Sequence, residues 1–540
     1  MRTRSIGIVI ASVLAVIIVV TMVIAMIWQG FSSPVRPASP STGATTAQSA
    51  PPIAAAGAED FYAQTIEWTD CDPDAITSKS ERAPRDMSSY RCATVTAPLD
   101  WDDPRGEQIS LSLAVHRSGR DGAPALFYNL GGPGGAAVKS LTHQVGENLG
   151  DALVDAYDIV ALDPRGVGAS TPVVCMTDEQ RDRHNAERVA AGEDDPRARI
   201  AQMEENTREL AAGCRELSGD LFRHIDTVSA ARDFDMVRAL LGQESFNYLG
   251  YSYGTFLGAT YAELFPQSTG RLVLDGALDP SLSVSEVSEL QMRGFEASIR
   301  HWVEDCQAAA GCPLTGDVDA GVAQVADFLE RLGDSPLETS DPDRPLTQNL
   351  ALTTVIGLMY STQTYSALTE AMRQAIGDND GSQMLFLADF LNDRNSDGTY
   401  SSTSADALIA INSLDYPPAG TPEEWEAQAK RLKEELRVFG SFAGYSSVGL
   451  DQWPAEHAPR APIAAAGVGP VVVIGTTHDP ATPYVMAQSL AEQLESGVLV
   501  TNEGWDHTAY SKLANPCVVD AVEGYLVGGR VPEDGLVCSS

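Results

Sequence analysis

The chain has 540 residues, 36 basic and 74 acidic, which gives a net charge of −38 with 44% hydrophobic residues. A chain this apolar is not disordered, and it is long enough for a large core or two to three domains. The acidic balance excludes nucleic acid as the main partner, because phosphate binding needs basic surface.

At the N-terminus, Arg2 and Arg4 precede an uncharged apolar run from Ile6 to Trp28, 23 residues long. That is enough to span a bilayer and exceeds the usual ~7–15-residue core of a cleavable signal. The two arginines favour a cytoplasmic N-terminus, which places everything after Trp28 outside. No small-x-small cleavage site follows directly, so residues 1–30 read as a membrane anchor in preference to a removed signal. Either way the chain is exported. Residues 31–58 turn to Pro, Ser, Thr and Ala with a lone Arg36, the composition of a flexible linker.

Cysteine usage agrees with export. There are eight, at Cys71, Cys92, Cys175, Cys214, Cys306, Cys312, Cys517 and Cys538, without a CxxC. Metal-type spacing is absent, so no metal or cofactor is expected and disulfides are the better reading. Neighbour pairing is the simplest arrangement: Cys71–Cys92, Cys175–Cys214, Cys306–Cys312 and Cys517–Cys538.

Beyond the linker, strand and helix patterns alternate. Residues 109–116 alternate apolar and polar as a half-buried strand does, and 123–129 (APALFYN) and 157–162 (YDIVAL) suit central strands. Residues 227–241 show helical spacing and stop at Gly242. FNYLG at 246–250 is strand-like, TFLGATYAELFP beyond it is helix-like, and 271–274, 471–475 and 498–501 are further buried strands. This alternation implies a largely parallel sheet with helices on both faces. From residue 281 to 462, helical and turn-rich stretches replace the strands. That segment reads as a cap over the sheet's C-terminal edge, between a first core part at 59–280 and a last at 463–540.

Three strand ends carry the chemistry. Gly250-Tyr251-Ser252-Tyr253-Gly254 matches G-x-S-x-G between a strand and a helix, the setting of a nucleophile elbow. The flanking glycines leave room for a sharp turn, and the following helix N-terminus favours developing negative charge. In the order Ser, acid, His, Asp479 lies in a loop just past one strand and His507 just past the next. His478 competes for the base, and Asp506 and Glu503 for the acid. Asn129-Leu130-Gly131-Gly132-Pro133-Gly134-Gly135 follows a strand, and its glycines let backbone N–H groups reach an oxyanion. Gly131 and Gly132 with the N–H of Tyr253 form the expected hole. The loop lacks both phosphate-binding spacings, G-x-x-x-x-G-K-[ST] and G-x-G-x-x-G. Asp163–Ser170 is expected to brace the site without touching substrate.

On these residues the chain resembles the secreted actinobacterial tripeptidyl aminopeptidases, α/β-hydrolases related to prolyl iminopeptidases. The family's glycine-rich loop resembles 129–137, its D-x-R-G-x-G-x-S resembles 163–170, and its A-R-D-x-D resembles 231–235. Its elbow is 250–254, its L-D-G-x-x-D-P is 274–280, and its D-P-x-T-P acid loop is 479–483. The G-H region resembles 504–507 with two residues inserted. Leu130 and Ala136-Ala137 depart from the family loop, and two family cysteines near Ser413 and Leu450 are absent. The resemblance implies an α/β-hydrolase fold with a largely helical cap. It also implies Ser252, Asp479 and His507 as nucleophile, acid and base, acting on peptides with free N-termini. Activity is expected to fall as His507 protonates, around or below ~6.5. A carboxylesterase or lipase acting on envelope esters shares this triad and stays open, as does, further off, a non-catalytic binding module.

Overall fold

The computed structural model describes residues 57–78, 81–187 and 195–539. The apolar run Ile6–Trp28 and nearly all of the linker lie outside the described residues. Ten strands form one sheet: β1 (Thr69–Asp70), β2 (Tyr90–Pro98), β3 (Gln108–His116), β4 (Ala125–Asn129), β5 (Asp158–Leu162), β6 (Phe246–Tyr251), β7 (Thr269–Asp275), β8 (Val471–Thr476), β9 (Gly497–Asn502) and β10 (Leu536–Cys538). Their order is β1-β2-β3-β5-β4-β6-β7-β8-β9-β10. From β5 to β10 every neighbour is parallel, while β1, β2 and β3 add on antiparallel.

The central parallel strands β4, β6 and β8 are buried at every position because both faces are covered. Phe127, Tyr248 and Val473 point into one hydrophobic cluster, with Phe234 of the helix Thr227–Leu240. Their neighbours Tyr128, Leu249 and Val472 point into another, with Val518 and Tyr525 of the helix Pro516–Gly528. β3 shows the alternation its sequence predicts, with Ile109, Leu111 and Leu113 buried and Gln108 and Ser110 exposed. Three strands go beyond the sequence pattern. β1 and β10 are too short to show a period, and the burial of β2 is irregular.

Between β7 and β8 lies the largely helical cap insertion, with helices from Val284–Ala308 to Pro422–Glu435. Much of it has its own core, in which Trp302, Phe328, Leu329, Val355, Leu368 and Phe439 pack together. The helix Ser404–Asp415 behaves differently. Its Ala407, Ala410, Ile411 and Leu414 join the cluster on the sheet, as does Trp453 further on. The insertion therefore rests on the sheet's cluster through Val287, the helix Ser404–Asp415 and Trp453, while much of the rest packs on its own core.

Four disulfides join Cys71–Cys92, Cys175–Cys214, Cys306–Cys312 and Cys517–Cys538. Such bridges persist in oxidising compartments, and the chain is exported. Among the described residues no helix is long and apolar enough to cross a membrane.

Candidate active site

Ser252 stands between β6 and the helix Tyr253–Leu264 with φ 54° and ψ −124°. A non-glycine residue there costs on the order of 1–3 kcal/mol and persists only where its surroundings over-determine it. They do so here. The Ser252 N–H donates to the Asp275 carbonyl at the end of β7 (2.9 Å), and the Ser252 carbonyl accepts from the N–H and hydroxyl of Thr255 (2.8 and 2.6 Å). The turn is tight enough that a Cβ on Gly250 would lie 2.4 Å from the Gly254 carbonyl oxygen.

The glycine-rich loop leans on this turn. Gly131 has φ +89°, and a Cβ there would sit 2.8 Å from Ser252 Cβ and 3.1 Å from Tyr253 N. Only glycine lets the loop approach so closely. Buried Asn129 fixes the loop's entry by accepting the Gly131 N–H on Oδ1 (2.9 Å). Of the oxyanion donors named from sequence, Tyr253 follows Ser252 directly and Gly131 abuts it, but the Gly131 N–H is already taken by Asn129, which leaves Gly132 and Tyr253.

Asp479 is fully buried. Its Oδ1 accepts the N–H groups of Ala481 and Thr482 (2.9 and 2.8 Å), and its Oδ2 accepts the Thr482 hydroxyl and the Thr508 N–H (3.0 and 3.1 Å). Both oxygens lie 2.9 Å from His507 Nδ1. Burial pushes the imidazole's pKa down, but the Asp479 carboxylate beside it, with Asp275 behind, outweighs burial and holds it above its ordinary value. The acid limb expected from sequence therefore moves upward. Gly276, just after β7, lies beside the ring: a Cβ there would be 3.4 Å from His507 Cε1. One segment, Asp275–Gly276, therefore touches both residues.

Asp275 does more than its place in a motif suggested. Its carboxylate is fully buried and accepts the N–H groups of Ala509 (3.0 Å) and Tyr510 (2.7 Å), fixing the chain just beyond His507. Burial lifts it to about 6. An acid ending an apolar strand just before a glycine was the available signal.

The competitors have other company. His478 stacks on Trp505, Asp506 accepts from Thr362, and exposed Glu503 donates its N–H to the Cys538 carbonyl. None of these three is bonded to His507 or Asp479. In 163–170, Asp163 accepts the N–H groups of Val138 and Ala169, holding the chain after the glycine-rich loop. Arg165 is fully buried and pairs twice with Asp233 at 2.7 Å.

A cavity of about 110 Å³ opens beside Gly132, Pro133 and Tyr253. Phe256, Leu278 and Val287 line it with Gln291, Asp415 and Arg460. Asp415 is buried and accepts the N–H and hydroxyl of Thr227 (2.9 and 2.6 Å); burial pushes it up to about 7. A wider cleft of about 1060 Å³ lies behind the loop at Gly134 and Ala136, and neither Ser252, Asp479 nor His507 lines either cavity; Tyr253, next to Ser252, lines the smaller one.

Comparison with known proteins agrees with this geometry. The family model of the α/β hydrolase fold matches residues 124–511. Serine protease Hip1 of Mycobacterium tuberculosis is 34% identical over 89% of this chain and 92% of its own length. Carboxylesterase B of the same organism is 37% identical over 91% and 95%, and a tripeptidyl aminopeptidase of Streptomyces lividans is 29% identical over 88% and 86%. A serine at a strained strand-to-helix turn, on a mostly parallel sheet matched over most of its length, makes this chain a member of the α/β-hydrolase family and a serine hydrolase.

Proposed function

We propose that the chain is an exported aminopeptidase that releases short peptides from free N-termini. Ser252 is the nucleophile, His507 the general base and Asp479 the group that orients the base. His507, bonded to Asp479 through Nδ1, takes the proton from Ser252 as it attacks the scissile carbonyl. The N–H groups of Gly132 and Tyr253 hold the oxyanion while that of Gly131 stays with Asn129, the leaving amine takes the proton from His507, and water then releases the acyl-enzyme. The cap shapes the acyl side of the site. The apolar run Ile6–Trp28 keeps the enzyme on the outer face of the membrane.

The cavity beside the glycine-rich loop carries this reading. At about 110 Å³ it suits one small side chain better than a long acyl chain. Asp415 lines it too, bonded to Thr227 and with the Arg460 guanidinium in the same lining. A second reading, hydrolysis of short esters, draws support from the 37% identity to a protein named carboxylesterase B.

A substrate panel separates the two: tripeptide, single-residue and N-acetylated tripeptide anilides, with short- and long-chain esters and a Ser252→Ala control. Preference for the free-amine tripeptide, lost on acetylation, is the expected result. Turnover of esters without any anilide would leave the triad standing and overturn the peptidase.

A further inference from the structure

Three consecutive residues, Trp505, Asp506 and His507, are each held by the cap insertion. His301, on the helix Val284–Ala308, stacks on the Trp505 indole with ring centres 4.0 Å apart and planes 16° apart. His478 stacks on it too, at 4.0 Å and 11°. Two rings so close and so parallel to one indole must occupy its opposite faces. Asp506 Oδ1 accepts the N–H and hydroxyl of Thr362 (2.5 and 3.0 Å). The His507 N–H donates to the Tyr360 carbonyl (2.8 Å), and the Tyr360 ring meets the imidazole edge-on at 5.2 Å.

The other face of this strap belongs to the sheet. His478 precedes Asp479 directly, and its N–H donates to the Gly504 carbonyl (3.0 Å). Thr508, next after His507, has φ +67°, an outlier for a β-branched residue. Asp479 holds its N–H, and Asp275 holds the two that follow. The histidine thus rides on a strained segment pinned from two directions.

We propose that Trp505 and Asp506 are positioning residues that make the placement of His507 conditional on a seated cap. The inference rests on the reading of His507 as the base. With the cap seated, the indole is gripped between cap and acid loop, and the imidazole is held in line with Ser252. With the cap lifted, the strap loses His301, Thr362 and Tyr360 together and keeps only its anchors on the sheet. A substrate too bulky for the cap to close over binds but is cut slowly, so discrimination by size appears in kcat more than in KM.

The test uses the full chain and its fastest substrate from the panel above. His301→Ala and Trp505→Ala are each expected to lower kcat at least tenfold with KM within threefold. The double variant should be no slower than the slower single, because the His301–Trp505 contact is already lost in each. His301→Phe, which keeps a ring on the indole, should return kcat to within threefold of the parent. A kcat for His301→Ala within twofold of the parent would overturn the proposal, as would losses that multiply in the double variant. If Trp505→Ala does not fold, His301→Ala against His301→Phe decides alone. Ser252→Ala separates the two levels. If it stays active, the triad reading fails and this proposal with it. If it is dead while His301→Ala is fully active, only the strap proposal fails.

Discussion

Asp479 and His507 meet at one hydrogen bond, yet they are held in different ways. The acid sits in a turn that closes on itself, since Ala481 and Thr482, two and three residues on, supply both N–H donors to Oδ1. The histidine depends on groups far away in sequence: Tyr360 holds its N–H, Asp479 its ring, and Asp275 the segment beyond. A local turn survives most changes elsewhere in the molecule. A residue held by distant segments inherits the motions of each, which is a route by which a cap can influence chemistry.

The largest expected effect falls on the local side of this contrast. Asp479→Asn should keep the turn's geometry and still lower kcat by about 10,000-fold, because the wrong imidazole tautomer results. Steady-state kinetics with a melting curve checks it, and a large loss of Tm would break the claim that this loop holds itself. Asp275→Ala comes next. It leaves two N–H groups beyond His507 without their acceptor, at about 1–3 kcal/mol of stability. The resulting misplacement of the base should reduce kcat about 100-fold. Chemical denaturation and kinetics on the same preparation would measure both, and a stability loss without a kinetic one would return Asp275 to a purely structural role.

Smaller effects follow from titration. Because Asp479 holds His507 above its ordinary value, the acid limb of kcat/KM should have its midpoint above ~6.5 and fall about tenfold per pH unit below it. Asp479→Asn should shift any residual limb downward. The smallest effect concerns stability. Asp163 and Asp275 are raised to about 6 and Asp415 to about 7. Each therefore binds its proton more tightly in the folded chain than in the unfolded one. The stability they contribute is complete below the unfolded range near 4 and is lost as pH rises through 6 to 7. The Tm should be higher at pH 5.5 than at pH 8 by about 2 °C or more. A Tm that falls on acidification across this window would contradict the burial of these three acids.

Much of the fold is legible because burial on both faces writes itself into composition. ALFYN, FNYLGY and VVVIGT are buried at every position and mostly apolar, and a run of that kind bounded by turns is a central strand. β1 and β10 escape because two or three residues carry no period, and β2 because its inward positions do not alternate. Ser252, Asp479 and the glycine-rich loop are legible for a related reason. Each is a local turn whose residue types are dictated within five or six positions. His507 is legible by place alone, after the strand that follows the acid. Its supports are not: nothing around His301, Tyr360 or Thr362 in the sequence points to a histidine more than a hundred residues away.

The sequence by itself determined the strand-and-helix order, the strained serine turn, the acid loop and the glycines that let a backbone approach it. These follow from short-range sterics and from the spacing of apolar side chains. Only the tertiary structure decided which carboxylate faces which imidazole, how small a cavity adjoins the glycine-rich loop, and that the insertion contacts the segment bearing His507. Those outcomes depend on distances between segments far apart in the chain, and such distances are set by packing as a whole, to which no local stretch of sequence holds the key.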